Sequence, residues 1–127
     1  DSFLNETYRY RISPQGELLD KTLWRAFTPQ EGTPDGMTLD ADGNVWVAFW
    51  GGACIRQFTP QAELLRHIDL PAPHITSVAF GGPALDLLLV TSARYGMTDQ
   101  ALAQYPQAGS AFVLQPGVRG VLPSAYG

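Results

Sequence analysis

The sequence predicts an all-β protein built from the four-stranded blades of a β-propeller. Glycine and proline contribute 13 and 10 of the 127 residues and are spread along the chain, which favours many turns over long helices. The sequence also repeats with a period of 41 to 46 residues, and one period contains four runs of strand length. A propeller blade has four antiparallel strands in about 40 to 45 residues, so one period corresponds to one blade.

The repeat is clearest in two heptapeptides. SPQGELL at 13–19 returns as TPQAELL at 59–65, with five identities at an offset of 46. A weaker match in the same phase aligns 36–39 with 77–80 at an offset of 41. Self-similarity at a fixed period indicates repeated structural units, and no segment shows the sustained 3.6-residue periodicity of a helical repeat.

Each strand of the complete blade is predicted by an apolar run between turn signals. The four runs are Met37 to Asp40, Val45 to Phe49, Ala53 to Phe58 and Leu64 to Leu70. Asp42-Gly43 between the first two runs is a common hairpin signal, and Pro60 suits the second position of a type I turn between the last two. The pattern therefore predicts an antiparallel meander.

The chain is long enough for about two and a half blades. Residues 1–33 are predicted to hold the outer strands of one blade, 34–73 a complete blade, and 74–127 a blade with a long loop at 94–109. Propellers usually close with roughly four to eight blades, and closure covers the sheet faces. We therefore expect apolar faces that are covered by a missing N-terminal half or by further copies in a homo-oligomer, unless the chain is a truncated remnant.

Composition and charge exclude several classes of partner. The net charge is −4 and the eight basic residues are scattered singly, which does not give the cationic surface that binds nucleic acid. No apolar run approaches the length of about 20 residues that spans a bilayer. The single Cys54 can form no internal disulfide, which fits a reducing compartment. We expect a cytoplasmic protein that binds neither nucleic acid nor a membrane.

Candidate site residues fall on one predicted rim of the blades. The first two strands of a blade are antiparallel, so the start of the first and the end of the second share an edge. In the complete blade this edge carries Asp35 and Trp50, and in the next blade it carries Arg94 and Tyr95, followed by a long connection. Long loops in compact domains are often functional. The rim is therefore the predicted binding site, with Trp50 either at the edge of the core or facing a ligand.

Asp35 is the carboxylate that this geometry directs toward the propeller axis. A hard cation could gather oxygen ligands there from several blades. Pro34-Asp35-Gly36 is also an ordinary turn tripeptide, so the spacing alone leaves a purely structural role open. Asp40 and Asp42 flank the predicted hairpin and are interpreted as turn residues.

Three longer strings resemble one protein family. They are PDGMTLDADGNVWVA at 34–48, TSVAFGG at 76–82 and TSARYGM at 91–97. Together they resemble the C-terminal half of the senescence-marker-protein/gluconolactonase/luciferin-regenerating-enzyme family. The likeness continues at 107–112 and covers essentially the whole chain.

The resemblance implies a six-bladed propeller that binds a divalent cation, Ca²⁺ or Zn²⁺, on its axis and hydrolyses sugar lactones or similar small molecules. It implies that Asp35 is a metal ligand and a catalytic general base, while the cation polarises the lactone carbonyl. The rim argument makes Trp50, Arg94 and Tyr95 the candidate substrate-binding residues. The family's other metal ligands, a Glu and an Asn, have no counterpart in this sequence, so we expect weak metal binding by the chain alone.

Two hypotheses of different class follow. The chain is either the C-terminal part of a metal-dependent sugar-lactone hydrolase, or a non-catalytic propeller fragment or interaction module that associates with itself through its open blades.

Overall fold

The computed structural model describes residues 6–121, which are almost entirely antiparallel β-sheet. The described strands are β1 (Glu6–Ile12), β2 (Leu18–Ala26), β3 (Thr33–Leu39), β4 (Val45–Trp50), β5 (Cys54–Phe58), β6 (Leu64–Asp69), β7 (His74–Gly81), β8 (Leu87–Ala93) and β9 (Ala111–Leu114). A 3₁₀ turn at Pro29–Glu31 follows β2, and one short helix, α1 (Asp99–Gln104), precedes β9. The predicted all-β class is confirmed.

The strands β3, β4, β5 and β6 form the predicted four-stranded meander, in which each strand pairs antiparallel with the next. The predicted and observed boundaries of β4 to β6 agree to within one residue. The prediction for β3 was wrong at its start, because the strand begins at Thr33 rather than at Met37. Pro34-Asp35-Gly36 lies inside the strand, where a β-bulge absorbs these turn-forming residues.

β4 lies at the centre of the fold because both of its faces are covered. Its residues 46–49 are fully buried, and its sequence is therefore a continuous apolar run instead of an alternating one. Trp46 and Ala48 pack against the second blade, in a cluster that includes Ile75, Leu88 and Val90. Val47 and Phe49 pack on the opposite side, in a cluster with Phe27, Cys54 and Phe58. Trp46 thus belongs to the core between the two blades.

The second blade contains β7, β8 and β9, paired in that order within residues 6–121. The long connection after β8 is partly helical, whereas the sequence predicts a loop. Thr98 accounts for the start of α1, because its hydroxyl accepts a hydrogen bond from the backbone nitrogen of Ala101 at 3.1 Å. After β9, Gly120 makes an isolated bridge to Asp40 of the first blade. No helix among residues 6–121 is long and apolar enough to cross a membrane.

The β1–β2 hairpin is a separate two-stranded sheet held on the first blade by side chains of β2. The Trp24 indole nitrogen donates to the carbonyl oxygen of Pro60 at 2.8 Å, and an Arg25 nitrogen donates to that of Ala62 at 2.6 Å. Both acceptors lie in the turn between β5 and β6. The Trp24 ring also meets Phe58 edge-on. In the described part of the chain β1 pairs only with β2, and the assignment of this hairpin to the outer strands of a blade stays a prediction.

Two apolar surfaces of the described residues remain open. One is a groove of about 500 Å³ between β1 and β3, where Tyr8, Tyr10, Met37 and Leu39 are among the lining residues. The other is the outer face of the second blade, where the cross-strand row Ala79, Leu89 and Val113 is exposed. Exposed apolar surfaces of this kind often mark sites of protein association.

Candidate functional site

Backbone pairing joins the rims of the two blades into one row. Thr33 pairs with Trp50, Trp50 pairs with His74, and His74 pairs with Ala93. The starts of β3 and β7 and the ends of β4 and β8 therefore lie side by side. Asp35 lies two residues inside β3, and Arg94 and Tyr95 directly follow β8. The backbone thus brings all four predicted site residues to the same edge.

Asp35 occupies the β-bulge of β3. Pro34 pairs with Phe49 and Met37 pairs with Val47, so Asp35 and Gly36 stand opposite a single residue of β4. A bulge bends a strand and re-aims its side chains, and bulges are frequent beside active sites. The Asp35 side chain is exposed and forms no hydrogen bond or ion pair with the other residues of 6–121. Partial burial raises the pKa of this carboxyl above its ordinary 3.8.

Gly36 allows the inner strands of the two blades to approach each other beside Asp35. A Cβ atom at position 36 would lie 2.8 Å from Ser77 Cα and 2.9 Å from the Thr76 carbonyl oxygen, which is closer than van der Waals contact permits. The bulge of β3 therefore packs directly against β7. Asp35 and the first residues of β7 belong to one continuous surface.

The raised pKa of Asp35 predicts that the Asp35→Asn variant is more stable than the wild type at pH 7. The folded state binds the Asp35 proton more tightly than the unfolded state, so stability falls as pH rises from the ordinary pKa through the raised one. The asparagine side chain does not ionise, so the variant does not lose stability as the pH rises. Thermal unfolding should show a higher Tm for the variant at pH 7 and no difference near pH 3.

Asp42→Asn is the matched control, because it removes one negative charge from the exposed β3–β4 turn. An Asp35→Asn variant that is less stable than the wild type by the same amount at pH 7 and pH 3 would contradict the claim that burial of the charged carboxylate lowers stability. It would point instead to a structural contact of the Asp35 side chain.

Trp50 and His74 form a stacked pair at the centre of the rim. Their ring centroids are 4.2 Å apart and their planes are 8° from parallel. Burial lowers the pKa of His74, so the imidazole is neutral at pH 7, and its buried Nδ1 has no hydrogen-bond partner within residues 6–121. The half-buried Trp50 thus packs face to face on His74, and a ligand-binding role for Trp50 stays a prediction. The sequence alone did not indicate this pair, because His74 follows Pro73 and resembles a turn residue, yet it is the first residue of β7.

Arg94 and Tyr95 differ in how firmly the structure holds them. The aliphatic part of Arg94 packs on Gly109, where an added Cβ atom would lie 2.8 Å from Arg94 Cγ and Cδ. The hydroxyl of Ser92 anchors the same loop, since it accepts from the Gly109 nitrogen at 3.0 Å and donates to the Ser110 carbonyl at 2.6 Å. Tyr95 is 81% exposed. Arg94 is thus positioned on the rim, and a substrate role for either residue stays a prediction.

Comparison with known proteins decides the family. The profile of the SMP-30/Gluconolactonase/LRE-like region matches residues 1–94. The chain belongs to this family. It is 39% identical over 127 residues to the zebrafish (Danio rerio) regucalcin, covering 98% of this chain and 43% of the relative. It is 32% identical over 126 residues to the L-arabinolactonase of Azospirillum brasilense, covering 99% of this chain and 41% of that enzyme.

Solved structures of SMP-30/gluconolactonase relatives share the fold. The crystal structure of a calcium-binding protein, regucalcin, from Agrobacterium tumefaciens superposes with a TM-score of 0.91 at 29% identity, covering 100% of this chain and 44% of that one. A luciferin-regenerating enzyme superposes with a TM-score of 0.83 at 35% identity, covering 95% of this chain and 41% of that one. The predicted propeller blades are confirmed, and the chain spans less than half the length of these relatives.

The described residues do not make a complete metal site of the kind that the resemblance implies. No group of three or more His, Cys, Asp or Glu side chains in residues 6–121 is arranged to hold a metal ion. Calcium prefers about six to eight oxygen ligands, and Asp35 supplies one carboxylate on the rim. The donor set of residues 6–121 alone does not fit a resident cation, and a ligand role for Asp35 stays a prediction.

Proposed function

We propose that this chain carries part of the active site of a sugar-lactone hydrolase, with Asp35 as the catalytic carboxylate. The single observation that supports this role most is a bulged, exposed carboxylate without a hydrogen-bond or ion-pair partner in residues 6–121. Membership in a family with an L-arabinolactonase supports the choice of substrate class.

Lactone hydrolysis requires a base for the attacking water. As the water oxygen bonds to the carbonyl carbon, Asp35 takes one of its protons. The ring C–O bond of the tetrahedral intermediate then breaks as Asp35 returns this proton to the ring oxygen, which yields the hydroxy acid and the free carboxylate of Asp35. A carboxylate whose pKa is raised is a stronger base than an ordinary aspartate. The geometry of the rim thus suits acyl transfer to water.

The remaining rim residues orient the substrate in this proposal. Trp50, held by its stack on His74, gives a flat apolar wall for the lactone ring. Arg94 carries a guanidinium whose N–H groups can donate to the lactone oxygens. Tyr95 adds an exposed phenol at the mouth of the site.

A divalent cation, Ca²⁺ or Zn²⁺, belongs to the proposal through the family, whose Agrobacterium relative is described as a calcium-binding protein. Because the described donor set is incomplete, no step of the hydrolysis is assigned to the cation. In this proposal Asp35 is one ligand among several, and the others come from outside residues 6–121.

Calcium binding by the chain alone is therefore expected to be weak. Titration calorimetry should detect no saturable binding below about 1 mM, the range in which even complete but weak calcium modules bind. One-to-one binding at micromolar calcium would contradict the incomplete site. Asp35→Asn would then show whether Asp35 is a ligand at the site that binds.

The experiment that tests the hydrolase is acid release from D-glucono-δ-lactone and L-arabinono-γ-lactone at pH 7. The assay compares the purified chain with buffer in the presence of Ca²⁺, Zn²⁺ or a chelator. Because the chain carries only part of the site, turnover above the buffer rate is expected to be low and to require a cation at more than about 1 mM. A rate equal to buffer under all three conditions, with the chain folded, would contradict catalysis by this chain.

The second candidate function is self-association without catalysis. It is favoured by the two open apolar surfaces, the groove between β1 and β3 and the outer face of the second blade. Sedimentation equilibrium measures it: a homo-oligomer that Leu89→Glu dissociates would support this candidate, and a monomer at every concentration would reject it.

A further inference from the structure

We propose that the hydroxyl groups of Thr76, Ser77 and Thr91 form a patch that recognises the ring hydroxyls of a polyhydroxylated lactone. This inference rests on the proposed function for the placement of the lactone beside Asp35. It adds a specificity-determining site that lies in the second blade, next to the candidate base and apart from Trp50, Arg94 and Tyr95.

The three hydroxyl groups converge because β7 contains a bulge. Ile75 pairs with Ser92 and Ser77 pairs with Thr91, so Thr76 is an extra residue without a partner on β8. Successive side chains of a regular strand point to opposite faces, whereas a bulge brings neighbouring side chains toward the same side. As a result, Thr91 Oγ1 lies 2.7 Å from Thr76 Oγ1 and 2.5 Å from Ser77 Oγ.

This bulge is the counterpart of the one that carries Asp35. The 41-residue repeat aligns Asp35 with Thr76 and Gly36 with Ser77. The two bulges also touch, because Gly36 leaves room for the Ser77 backbone. Thr76 is thus the position in the second blade that is equivalent to Asp35, and the two bulges approach each other at Gly36 and Ser77.

The patch retains unused hydrogen-bonding capacity. Three hydroxyl groups supply three donors, and the two contacts within the patch consume two of them, so at least one O–H and several lone pairs remain. The contacts are exposed to solvent, so a ligand can reach them. A cluster that offers donors and acceptors without charge matches vicinal alcohols, whereas phosphate or carboxylate ligands are usually bound by Arg or Lys.

The test is a comparison of two unreactive ligands on the full chain. D-Gluconolactam has the hydroxyls of the sugar lactone, and δ-valerolactam has none, and in both an amide replaces the hydrolysable ester. In NMR titrations the wild type should prefer gluconolactam. Thr91→Val should reduce this preference by about three- to tenfold, as expected for the loss of one to two hydrogen bonds, and leave valerolactam binding unchanged.

Thr22→Val is the matched control, since it removes an exposed strand hydroxyl from β2, outside the patch. Thr76→Val is the second variant, which removes a different hydroxyl of the patch in case Thr91→Val lowers the Tm. The proposal is overturned if the wild type shows no preference for gluconolactam. It is also overturned if the folded patch variants keep the full preference.

The outcome for the hydroxyl patch can be distinguished from the outcome for the proposed hydrolase activity. A chain that prefers gluconolactam but hydrolyses no lactone would support the patch and refute the hydrolase. A chain that hydrolyses gluconolactone and δ-valerolactone with equal kcat/KM would support the hydrolase and refute the patch.

Discussion

Replacing Asp35 by asparagine is expected to lower kcat/KM for sugar-lactone hydrolysis by roughly 100- to 10,000-fold, the range that a general base contributes. Asparagine has the shape of aspartate but cannot take a proton from water. Because Asp35 has no hydrogen-bond or ion-pair partner in residues 6–121, the variant should fold normally. Initial rates of acid release at pH 7, corrected for buffer, measure the effect.

The control for this loss is again Asp42→Asn, a change of equal charge in the turn at the far end of β3. It should retain the wild-type rate. An Asp35→Asn variant with wild-type kcat/KM would remove Asp35 from the mechanism, whatever its effect on stability.

Asp40→Ala is expected to lower the free energy of unfolding by about 3 kcal/mol or more, the largest stability effect of any carboxylate in the described residues. Asp40 is only 2% exposed. One of its oxygens accepts from the backbone nitrogens of Asp42 and Asn44 at 2.9 and 3.0 Å. The other accepts from the Trp46 indole at 3.0 Å and the Gln57 amide at 2.9 Å. Hydrogen bonds to a charged group contribute about 1.5 to 3 kcal/mol each.

The loss of unfolding free energy is large because the N–H groups that donate to Asp40 stay buried in the Asp40→Ala variant. Trp46 and Gln57 lie in the core, where an unpaired N–H costs about 1 to 3 kcal/mol. Gln57 also accepts from Arg66 at 3.0 Å, and the Arg66 guanidinium lies 4.7 Å from the centre of the Trp46 ring, so the alanine loosens a network that spans three strands.

Urea unfolding of Asp40→Ala beside Asp42→Ala measures this contribution. Asp42 lies in the same turn but is exposed, so its variant controls for hairpin propensity. An unfolding free energy for Asp40→Ala within about 1 kcal/mol of the control would contradict the buried network.

The strands of the first blade were predictable because local signals and burial agree there. β4, β5 and β6 are apolar runs between strong turn formers, and their boundaries follow the sequence closely. The shared rim of Asp35 and Trp50 was also predictable, since it depends only on antiparallel order. The start of β3 was not, because Pro34-Asp35-Gly36 has turn propensity and only pairing with β4 shows the bulge.

The side-chain contacts that the sequence did not reveal depend on tertiary pairing of the strands. Asp40 does bond to the turn as its local setting predicts, but its bonds to Trp46 and Gln57 bridge 6 and 17 residues. The Trp50–His74 stack joins two blades through one backbone pair, so it depends on how the blades are rotated. The convergence of Thr76 and Ser77 on Thr91 depends on a single unpaired residue in β7. No local spacing encodes these contacts.

If this chain supplies the part of a lactonase site that contains Asp35, it should complete such a site when the rest of a propeller is present. A chimera with a related lactonase tests this expectation. The chain would replace the matching 41% of the A. brasilense L-arabinolactonase, whose remaining part would cover the open blade faces. We expect a folded chimera that hydrolyses L-arabinono-γ-lactone and loses at least about 100-fold in kcat/KM with Asp35→Asn. A folded chimera that is inactive, or whose activity survives Asp35→Asn, would contradict the proposed role of this chain.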